Sequence, residues 1–275
     1  RERIPRPALW GRGRREANLN IVVTVKQVVD PNLPPSYIDL DAAGKRIITP
    51  FGVPPVINGY DANALEAALQ LREQHGGRVT TVCLGDDTSR ATLKRALAMG
   101  ADAAVLLNDA AWLNLDSACV AQVIAAAIRK SGAFDLVMCG RQASDTDGGQ
   151  GLFWLAEALG VPVVSPVSTI ENVDGDSLTV QRLSDDGFQR IRVTLPALLG
   201  ISSEINEPRM PSLKGTMSAG RAMIPGWKAP DLALAELQPR VELRRLEIQE
   251  RTSRAQLIAG DTAAAKGVAL ADTLH

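Results

Sequence analysis

The sequence predicts an α/β fold built on a parallel sheet, and three observations support this. Short β-branched or apolar runs alternate with segments of helical periodicity between residues 20 and 167. The runs have the length of buried strands, and the intervening segments are long enough for the crossover helices that parallel strands require. The chain has 275 residues, 45% of them hydrophobic, and a net charge of −1, so it can bury a core of its own.

Each element follows from a local pattern. Strands are predicted where apolar residues run without interruption, and helices where they recur every three or four positions. The first helix, for example, has a cap in Asp61 and a stop at Gly76 and Gly77. The predicted elements are a strand at 20–26, a loop or short hairpin at 28–52, a helix at 61–74, a strand at 78–84, a helix at 88–99, a strand at 103–107, a helix at 115–130, a strand at 134–139, a helix at 148–159 and a strand beginning at 162–167.

The character of the chain changes after residue 170. Residues 177–183 and 190–194 alternate like an antiparallel pair around a turn, and residues 195–201 are apolar again. Residues 205–257 are predicted to form an extended arm with one short strand at 241–248, followed by a terminal helix at 263–274. Because a single domain seldom carries so long an irregular stretch unpacked, we expect the arm to pack on another polypeptide.

These patterns divide the chain into three parts. Residues 20–204 are predicted to form the α/β domain, and residues 205–275 the arm. Residues 1–19 are rich in Arg and lack an apolar stretch, so they do not read as a secretory signal. They fit a poorly ordered extension, an upstream mis-start or a targeting peptide, and we favour the extension.

Composition excludes several classes of function. Thirty basic against 31 acidic residues argue against a nucleic-acid-binding protein. The sequence has two histidines, His75 and His275, which argues against a His-rich metal site or a Ser–His triad. Cys83, Cys119 and Cys139 are odd in number and form no CxxC pair, which favours buried thiols in a reducing compartment. No apolar run reaches the roughly 18 residues that a membrane span needs.

The segment GRQASDTDGGQGLFWLAE, residues 140–157, has the pattern of a phosphate-binding loop. It follows a strand and opens a helix, and Gly148, Gly149 and Gly151 let a ligand approach the backbone. The free amides and the helix dipole at that point favour an anion. The alternative is a glycine-rich turn with an Asp cap, and composition alone leaves both open. The loop is neither a Walker A nor a GxGxxG sequence.

Polar residues around the glycines suit the same chemistry. Arg141 is placed to neutralise a phosphate, and Gln150 can both donate and accept hydrogen bonds. Asp145 and Asp147 would repel a phosphate directly, so we expect them to bind backbone amides of the loop or to face a ribose hydroxyl.

Other loops meet the same edge of the predicted sheet. Lys26 ends the first strand, the turn 58–61 precedes the first helix, and 85–87 follows the second strand. Each alone is explained by an ordinary strand end, helix cap or βα turn. Their convergence on one sheet edge, where ligands of parallel sheets bind, favours a site.

The residues also carry a resemblance to a known family. Three motifs occur in order: RALAMGAD, GRQA-x-D-x-D-x-x-Q and NEPR-x-x-x-L. They are preceded by IVVTVKQVVD near the start and by PPVINGYDANALEAALQLRE, which contains nearly all of the first predicted helix. In this combination the chain from residue 20 to its end resembles the β subunit of electron transfer flavoproteins.

The resemblance implies an adenine-nucleotide-binding (HUP-like) α/β fold and a heterodimer. An α subunit would hold most of a redox FAD, and the β subunit would bind AMP, or a second FAD in electron-bifurcating members. Together with Arg141, the implied cofactor-binding residues are Thr24, Lys26, Asn58, Gly59, Tyr60, Asp61, Leu84, Gly85, Gln142, Ala143, Asp145, Asp147, Gly148, Gly149, Gln150, Gly151 and Leu152.

The resemblance further implies a docking function for residues 205–220, with Leu213 as the anchor in a partner's apolar pocket. The implied partner-binding residues are Glu207, Pro208, Arg209 and Leu213. The alternative is that Leu213 packs on its own subunit. The partners would be flavin dehydrogenases of the acyl-CoA dehydrogenase type and a quinone oxidoreductase or similar acceptor, in a bacterial cytoplasm or a mitochondrial matrix.

The sequence departs from the family pattern at three positions. Gly148 stands where Ser, Thr or Cys is usual, Leu152 where Gly is usual, and Pro31 where many members place an aromatic near the flavin. Two alternatives to a simple carrier remain: a bifurcating subunit whose second FAD oxidises NADH, and a stand-alone nucleotide-binding protein of the stress type. An ATP pyrophosphatase is disfavoured because no SGGxD loop follows the first strand. No catalytic residue is expected, so the chain is predicted to be a carrier subunit rather than an enzyme.

Overall fold

A large mixed sheet organises the computed structural model, which describes residues 18–48, 52–248 and 255–274. The strands are β1 (Leu19–Thr24), β2 (Gln27–Val28), β3 (Asp39–Leu40), β4 (Ile47–Ile48), β5 (Val56–Ile57), β6 (Gly77–Leu84), β7 (Ala103–Leu107), β8 (Leu136–Gly140), β9 (Val163–Asp174), β10 (Ser177–Ser184), β11 (Gly187–Thr194), β12 (Ala197–Ile201) and β13 (Gly226–Trp227). The α-helices are α1 (Gly59–His75), α2 (Arg90–Met99), α3 (Ser117–Ser131), α4 (Gly151–Leu159), α5 (Leu213–Arg221) and α6 (Ala263–Leu274).

Within the described residues the main sheet has nine strands in the order β11-β10-β9-β12-β8-β1-β6-β7-β13. All neighbours from β9 to β13 are parallel, whereas β9, β10 and β11 form an antiparallel meander at one edge. The predicted parallel sheet and the predicted antiparallel pair are both confirmed. The carboxyl ends of β8, β1 and β6 therefore lie side by side in the middle of the sheet.

Both faces of the sheet are covered. Ile21 and Val23 of β1 pack into a core shared with α1 and α2, while Val22 between them packs into a second core shared with α3 and α4. Burial on both faces is the reason that β1 is a continuous β-branched run. Leu65 and Leu69, one turn apart on α1, are fully buried, and each stabilises the fold by about 1.5–3 kcal/mol.

Several boundaries differ from the prediction. The first strand ends at Thr24, so Lys26 lies in the following loop rather than at the strand end. The helix predicted from residue 148 begins at Gly151, because Asp147 and Gly149 adopt positive φ angles of 51° and 57°. The α-helix predicted from residue 88 begins at Arg90, after a turn of 3-10 helix. The hairpin expected within 28–52 is present as β3 and β4.

The arm was predicted less well. The strand predicted at 241–248 is wrong, since the structure assigns no strand to those residues. Their apolar–polar alternation resembles a strand, but among the described contacts the one backbone–backbone hydrogen bond of these residues runs from the Leu246 N–H to the Gly44 carbonyl (2.7 Å). The helix α5 was missed because its sequence contains Gly215 and Gly220, which disfavour helices in isolation.

The predicted extension at 1–19 falls mostly outside the described residues, and Leu19 belongs to β1. The terminal helix is present as α6, and the structure buries none of its described side chains. Among the described residues, no helix has the combination of length and apolar character that crossing a bilayer requires.

Candidate functional site

The first turn of α1 is joined to the end of β8 and to the loop after β1 through one carboxylate. Asp61 is buried and accepts hydrogen bonds from the backbone N–H groups of Lys26 (2.8 Å) and Gly140 (2.9 Å). Burial raises the pKa of Asp61 to about 6, although the two backbone hydrogen bonds oppose the rise. A Cβ atom at position 140 would lie 2.6 Å from an Asp61 oxygen and from Tyr60 Cβ, so only glycine fits there.

Asn58 holds the glycine-rich loop against the same turn. Its side chain is 1% exposed, donates to the Gln142 carbonyl (2.9 Å) and accepts from the Ser144 N–H (3.2 Å). The Asn58 N–H itself donates to the Lys26 carbonyl (2.9 Å). The loops after β1 and β8 and the start of α1 are therefore fixed to one another.

The two aspartates of the loop are held by side chains. Lys26 Nζ lies 2.7 Å from an Asp145 carboxylate oxygen, and the Gln142 side-chain amide donates to Asp147. Backbone amides, the partners expected from the sequence, are not what engages them among the described contacts. Lys26 offsets the negative charge of Asp145, which would otherwise repel an anion beside the loop, whereas the neutral Gln142 amide holds Asp147 in place without offsetting its charge.

Arg141 is the cation nearest the glycines in sequence. Its guanidinium lies over the Tyr60 ring, 5.0 Å from the centroid, in cation–π geometry. Its Nε atom is buried and has no hydrogen-bond partner within the described part of the chain. A buried donor without a partner is rare in folded proteins, and one beside a candidate phosphate loop indicates a missing acceptor.

The glycines leave the backbone of the loop open. A Cβ atom at Gly148 or Gly151 would meet nothing within 4 Å. Gly151 is the first residue of α4, where the leading N–H groups of a helix lack intrahelical partners. Leu152 follows it, but its side chain is buried in the core, so it can offer a ligand only its backbone. These are the features of an anion site.

The structure brings the predicted cofactor residues to one edge of the sheet. Thr24 ends β1 and Leu84 ends β6, next to the Gly85 N–H, which donates to the Leu107 carbonyl (3.0 Å). The other members of the set lie in the loops already described, which are Gly59, Tyr60, Ala143 and Gln150 with their neighbours. Gly140 and Ser144 lie within the loop predicted at 140–157 but were not singled out as site residues, and the structure adds their backbone contacts with Asp61 and Asn58.

Residues 205–220, the predicted docking segment, lie elsewhere, on α1 and α2. Leu213 begins α5 and is 79% exposed, so it does not pack within the described chain. Ser212 caps α5 by accepting from the Gly215 N–H (3.0 Å). Glu207 is exposed, whereas the Arg209 guanidinium is directed to α1. Partner binding by these residues stays a prediction.

Comparison with known proteins agrees with this picture. The family described as "Electron transfer flavoprotein domain" matches residues 47–232, which is more than half of the chain. The chain is 42% identical over 201 residues to the electron transfer flavoprotein subunit beta of Thermoanaerobacterium thermosaccharolyticum, an alignment that covers 73% of this chain and 75% of the relative.

Two further relatives carry different names. Protein FixA of Azorhizobium caulinodans is 37% identical, with 80% of this chain and 78% of FixA covered. The caffeyl-CoA reductase-Etf complex subunit CarD of Acetobacterium woodii is 38% identical, with 79% and 81% covered.

Proposed function

The chain belongs to the β-subunit family of the electron transfer flavoproteins, and from this premise we propose which nucleotide it holds and between which proteins it carries electrons. As a member it is an electron-transfer subunit that associates with an α subunit and a flavin. We propose AMP at the loop edge of the sheet and a redox FAD shared with the α subunit. The electron donors would be flavin dehydrogenases of the acyl-CoA dehydrogenase type, and the acceptor a quinone oxidoreductase or similar protein.

The observation that carries the nucleotide proposal is the buried Nε of Arg141, which has no partner among the described residues and belongs to the loop that carries the open glycines. A phosphate between Arg141 and the first turn of α4 would satisfy both the guanidinium and the free helix amides. Asp145 does not oppose this, because Lys26 neutralises it. The residues present thus fit a nucleotide phosphate.

The chain's own part in electron transfer is positioning. FAD supplies the redox chemistry when it is bound, and the protein supplies binding and orientation. Gly140 and Asp61 keep the loop and the first turn of α1 in contact, and Asn58 fixes the loop backbone. No proton transfer by a side chain is needed for this role.

The arm is the part proposed to bind the α subunit. Its final helix α6 has exposed apolar residues, Val268, Leu270 and Leu274, and none of its described side chains is buried. Apolar side chains along an otherwise unpacked helix are typical of an interface. We therefore propose that the arm, residues 205–275, carries the docking segment in its first part, where α5 and β13 pack on this chain's own α2 and sheet, and wraps the partner subunit with its C-terminal part.

The test is to co-express the chain with an α subunit, purify the complex, and identify its nucleotides by extraction and mass spectrometry. One FAD and one AMP per heterodimer are expected. Two FAD molecules together with NADH oxidation would instead identify a bifurcating subunit. A stable, colourless monomer would contradict both and favour a stand-alone nucleotide-binding protein.

A truncation distinguishes a heterodimer subunit from the stand-alone nucleotide-binding protein. Removing residues 255–275, which include α6 and none of whose described side chains is buried, should abolish assembly and flavin retention if the arm binds the α subunit. A stand-alone protein of the stress type would stay soluble and keep its nucleotide after the same deletion.

A further inference from the structure

The docking segment is fastened to α1 by one arginine and two glutamates. Arg209 Nε lies 2.7 Å from Glu66 Oε2, and one terminal nitrogen lies 3.0 Å from Glu66 Oε1. The same guanidinium also engages both carboxylate oxygens of Glu73, one of them at 3.1 Å. Arg209 thus holds two carboxylates, each through two hydrogen bonds, and its backbone N–H donates to Glu66 as well (3.2 Å).

The inner pair of this cluster is shielded from solvent. The Glu66 side chain is 5% exposed and that of Arg209 34%, whereas Glu73 is 49% exposed. Burial alone would raise the pKa of Glu66, but hydrogen bonds from Arg209 outweigh it and the pKa is lowered. A shielded carboxylate that keeps its charge is strongly destabilised when its cationic partner is removed, and salt screens the attraction between the two groups only weakly.

Two other contacts fix the segment on either side of the exposed anchor. Before it, Asn63 and Asn206 bind each other reciprocally, each side-chain amide donating to the other's backbone carbonyl (2.7 and 3.1 Å). After it, α5 packs so closely on α2 that a Cβ atom at Gly215 would lie 2.4 Å from the Ala98 carbonyl oxygen. Leu213 lies between these fixed points.

We propose that Arg209 is a positioning residue, which binds within its own subunit and holds the apolar docking surface of Met210, Leu213 and Met217 in the conformation that docks. The three side chains are 78%, 79% and 57% exposed, so the surface is apolar and open before a partner arrives. This inference rests on the proposed function, because it assigns the docking role to Leu213.

The physical advantage is pre-organisation. A flexible segment loses conformational freedom when it docks, and each ordered residue weakens binding. A segment ordered in advance by Arg209 avoids this loss. Removing the arginine should therefore weaken docking while leaving the side chains of the docking surface, Met210, Leu213 and Met217, unchanged.

The experiment uses the intact heterodimer and the variants Arg209→Gln and Arg209→Lys. Amide hydrogen exchange over 206–216 is measured without any partner, and steady-state reduction by a flavin dehydrogenase gives KM and kcat. Arg209→Gln should speed exchange and raise KM by about tenfold each with kcat unchanged, as expected for losing charged hydrogen bonds. Arg209→Lys should give exchange rates and a KM between those of the wild type and Arg209→Gln, because lysine keeps the positive charge but lacks the several hydrogen-bond donors of the guanidinium.

Two controls separate this inference from the function on which it rests. Arg95→Gln removes an exposed charge from α2 and should change neither readout. Leu213→Ala should raise KM and leave exchange unchanged; if it does not raise KM, the docking function fails, whatever Arg209 does to exchange. If Arg209→Gln leaves exchange and KM at the wild-type values, the proposal is wrong.

A second variant keeps the proposal testable if Arg209→Gln does not fold. Glu73→Gln removes only the exposed half of the cluster, and should speed exchange over 206–216 by a few-fold while the heterodimer stays assembled. If Arg209→Gln does not fold and Glu73→Gln leaves exchange unchanged, Arg209 stabilises the fold alone and the positioning role is refuted.

Discussion

The Gly140 backbone N–H donates to the buried carboxylate of Asp61 at 2.9 Å, and this bond joins two segments that are 79 residues apart in the chain. The other carboxylate oxygen accepts from the Lys26 N–H, so one side chain joins the end of β8 and the loop after β1 to the start of α1. The candidate nucleotide site is assembled around this carboxylate, whose protonation should therefore affect the stability of the protein.

The stability of the protein should depend on pH through Asp61. Burial raises its folded pKa to about 6 from a model-peptide value of 3.8, so between these values the folded state binds more protons than the unfolded state. The free energy of unfolding should then fall as the pH rises from about 4 to about 6 and level off above, by on the order of 3 kcal/mol in total.

Comparison with Asp61→Asn isolates this contribution, because asparagine does not titrate. Urea unfolding of both proteins, as heterodimers at one concentration, should show the wild type losing stability relative to the variant as the pH rises through that window. A difference that is flat, or that grows in favour of the wild type, would contradict the prediction.

Two neighbouring glycines should respond differently to alanine. Gly149 has a φ of 57°, in the left-handed region, so Gly149→Ala should cost about 1–2 kcal/mol of stability. Gly148 has no positive φ and open space at its Cβ position, so Gly148→Ala should change stability by less than about 0.5 kcal/mol. Thermal melting of the two variants side by side measures the contrast, and equal melting temperatures would show that the loop does not keep this conformation.

Local patterns predicted the sheet, whereas contacts between distant segments escaped them. The β-branched run of β1 predicts a strand buried on both faces because the pattern needs no other residue for its interpretation. Local pattern marks Asn58 only as part of the turn before α1, and its contacts with Gln142 and Ser144 depend on how the sheet closes.

The arm shows the same limit. Its helix α5 is stabilised by close packing on α2 rather than by helix propensity. Residues 241–248 have the alternating pattern of a strand but pair with no described strand. A strand requires a partner as well as a pattern, and the sequence of one segment does not contain that information. The position of Arg209 against Glu66, 143 residues away, was likewise beyond local reasoning.

Arg141 should contribute strongly to nucleotide affinity. Because its buried Nε has no partner among the described residues, a phosphate there would gain a charge-assisted hydrogen bond without displacing another. Arg141→Gln should weaken AMP binding to the nucleotide-stripped heterodimer by about 10- to 100-fold, in line with 1.5–3 kcal/mol for such bonds. Calorimetric titration measures it, with Arg95→Gln as the matched loss of one exposed arginine. Unchanged affinity would place the nucleotide phosphate elsewhere.

Leu213 should matter for docking and not for folding. Its side chain is 79% exposed, so truncation to alanine creates no cavity and should change stability by less than about 0.5 kcal/mol. Burial in a partner's pocket would contribute about 1.5–3 kcal/mol, so Leu213→Ala should raise KM toward a flavin dehydrogenase by about 10- to 100-fold. Leu113→Ala, at another exposed leucine, is the matched control and should leave KM unchanged. Since removing an anchor leaves the dehydrogenase chemistry intact, kcat should stay the same in both variants, and a loss of kcat with KM unaltered would instead place Leu213 on the electron-transfer path.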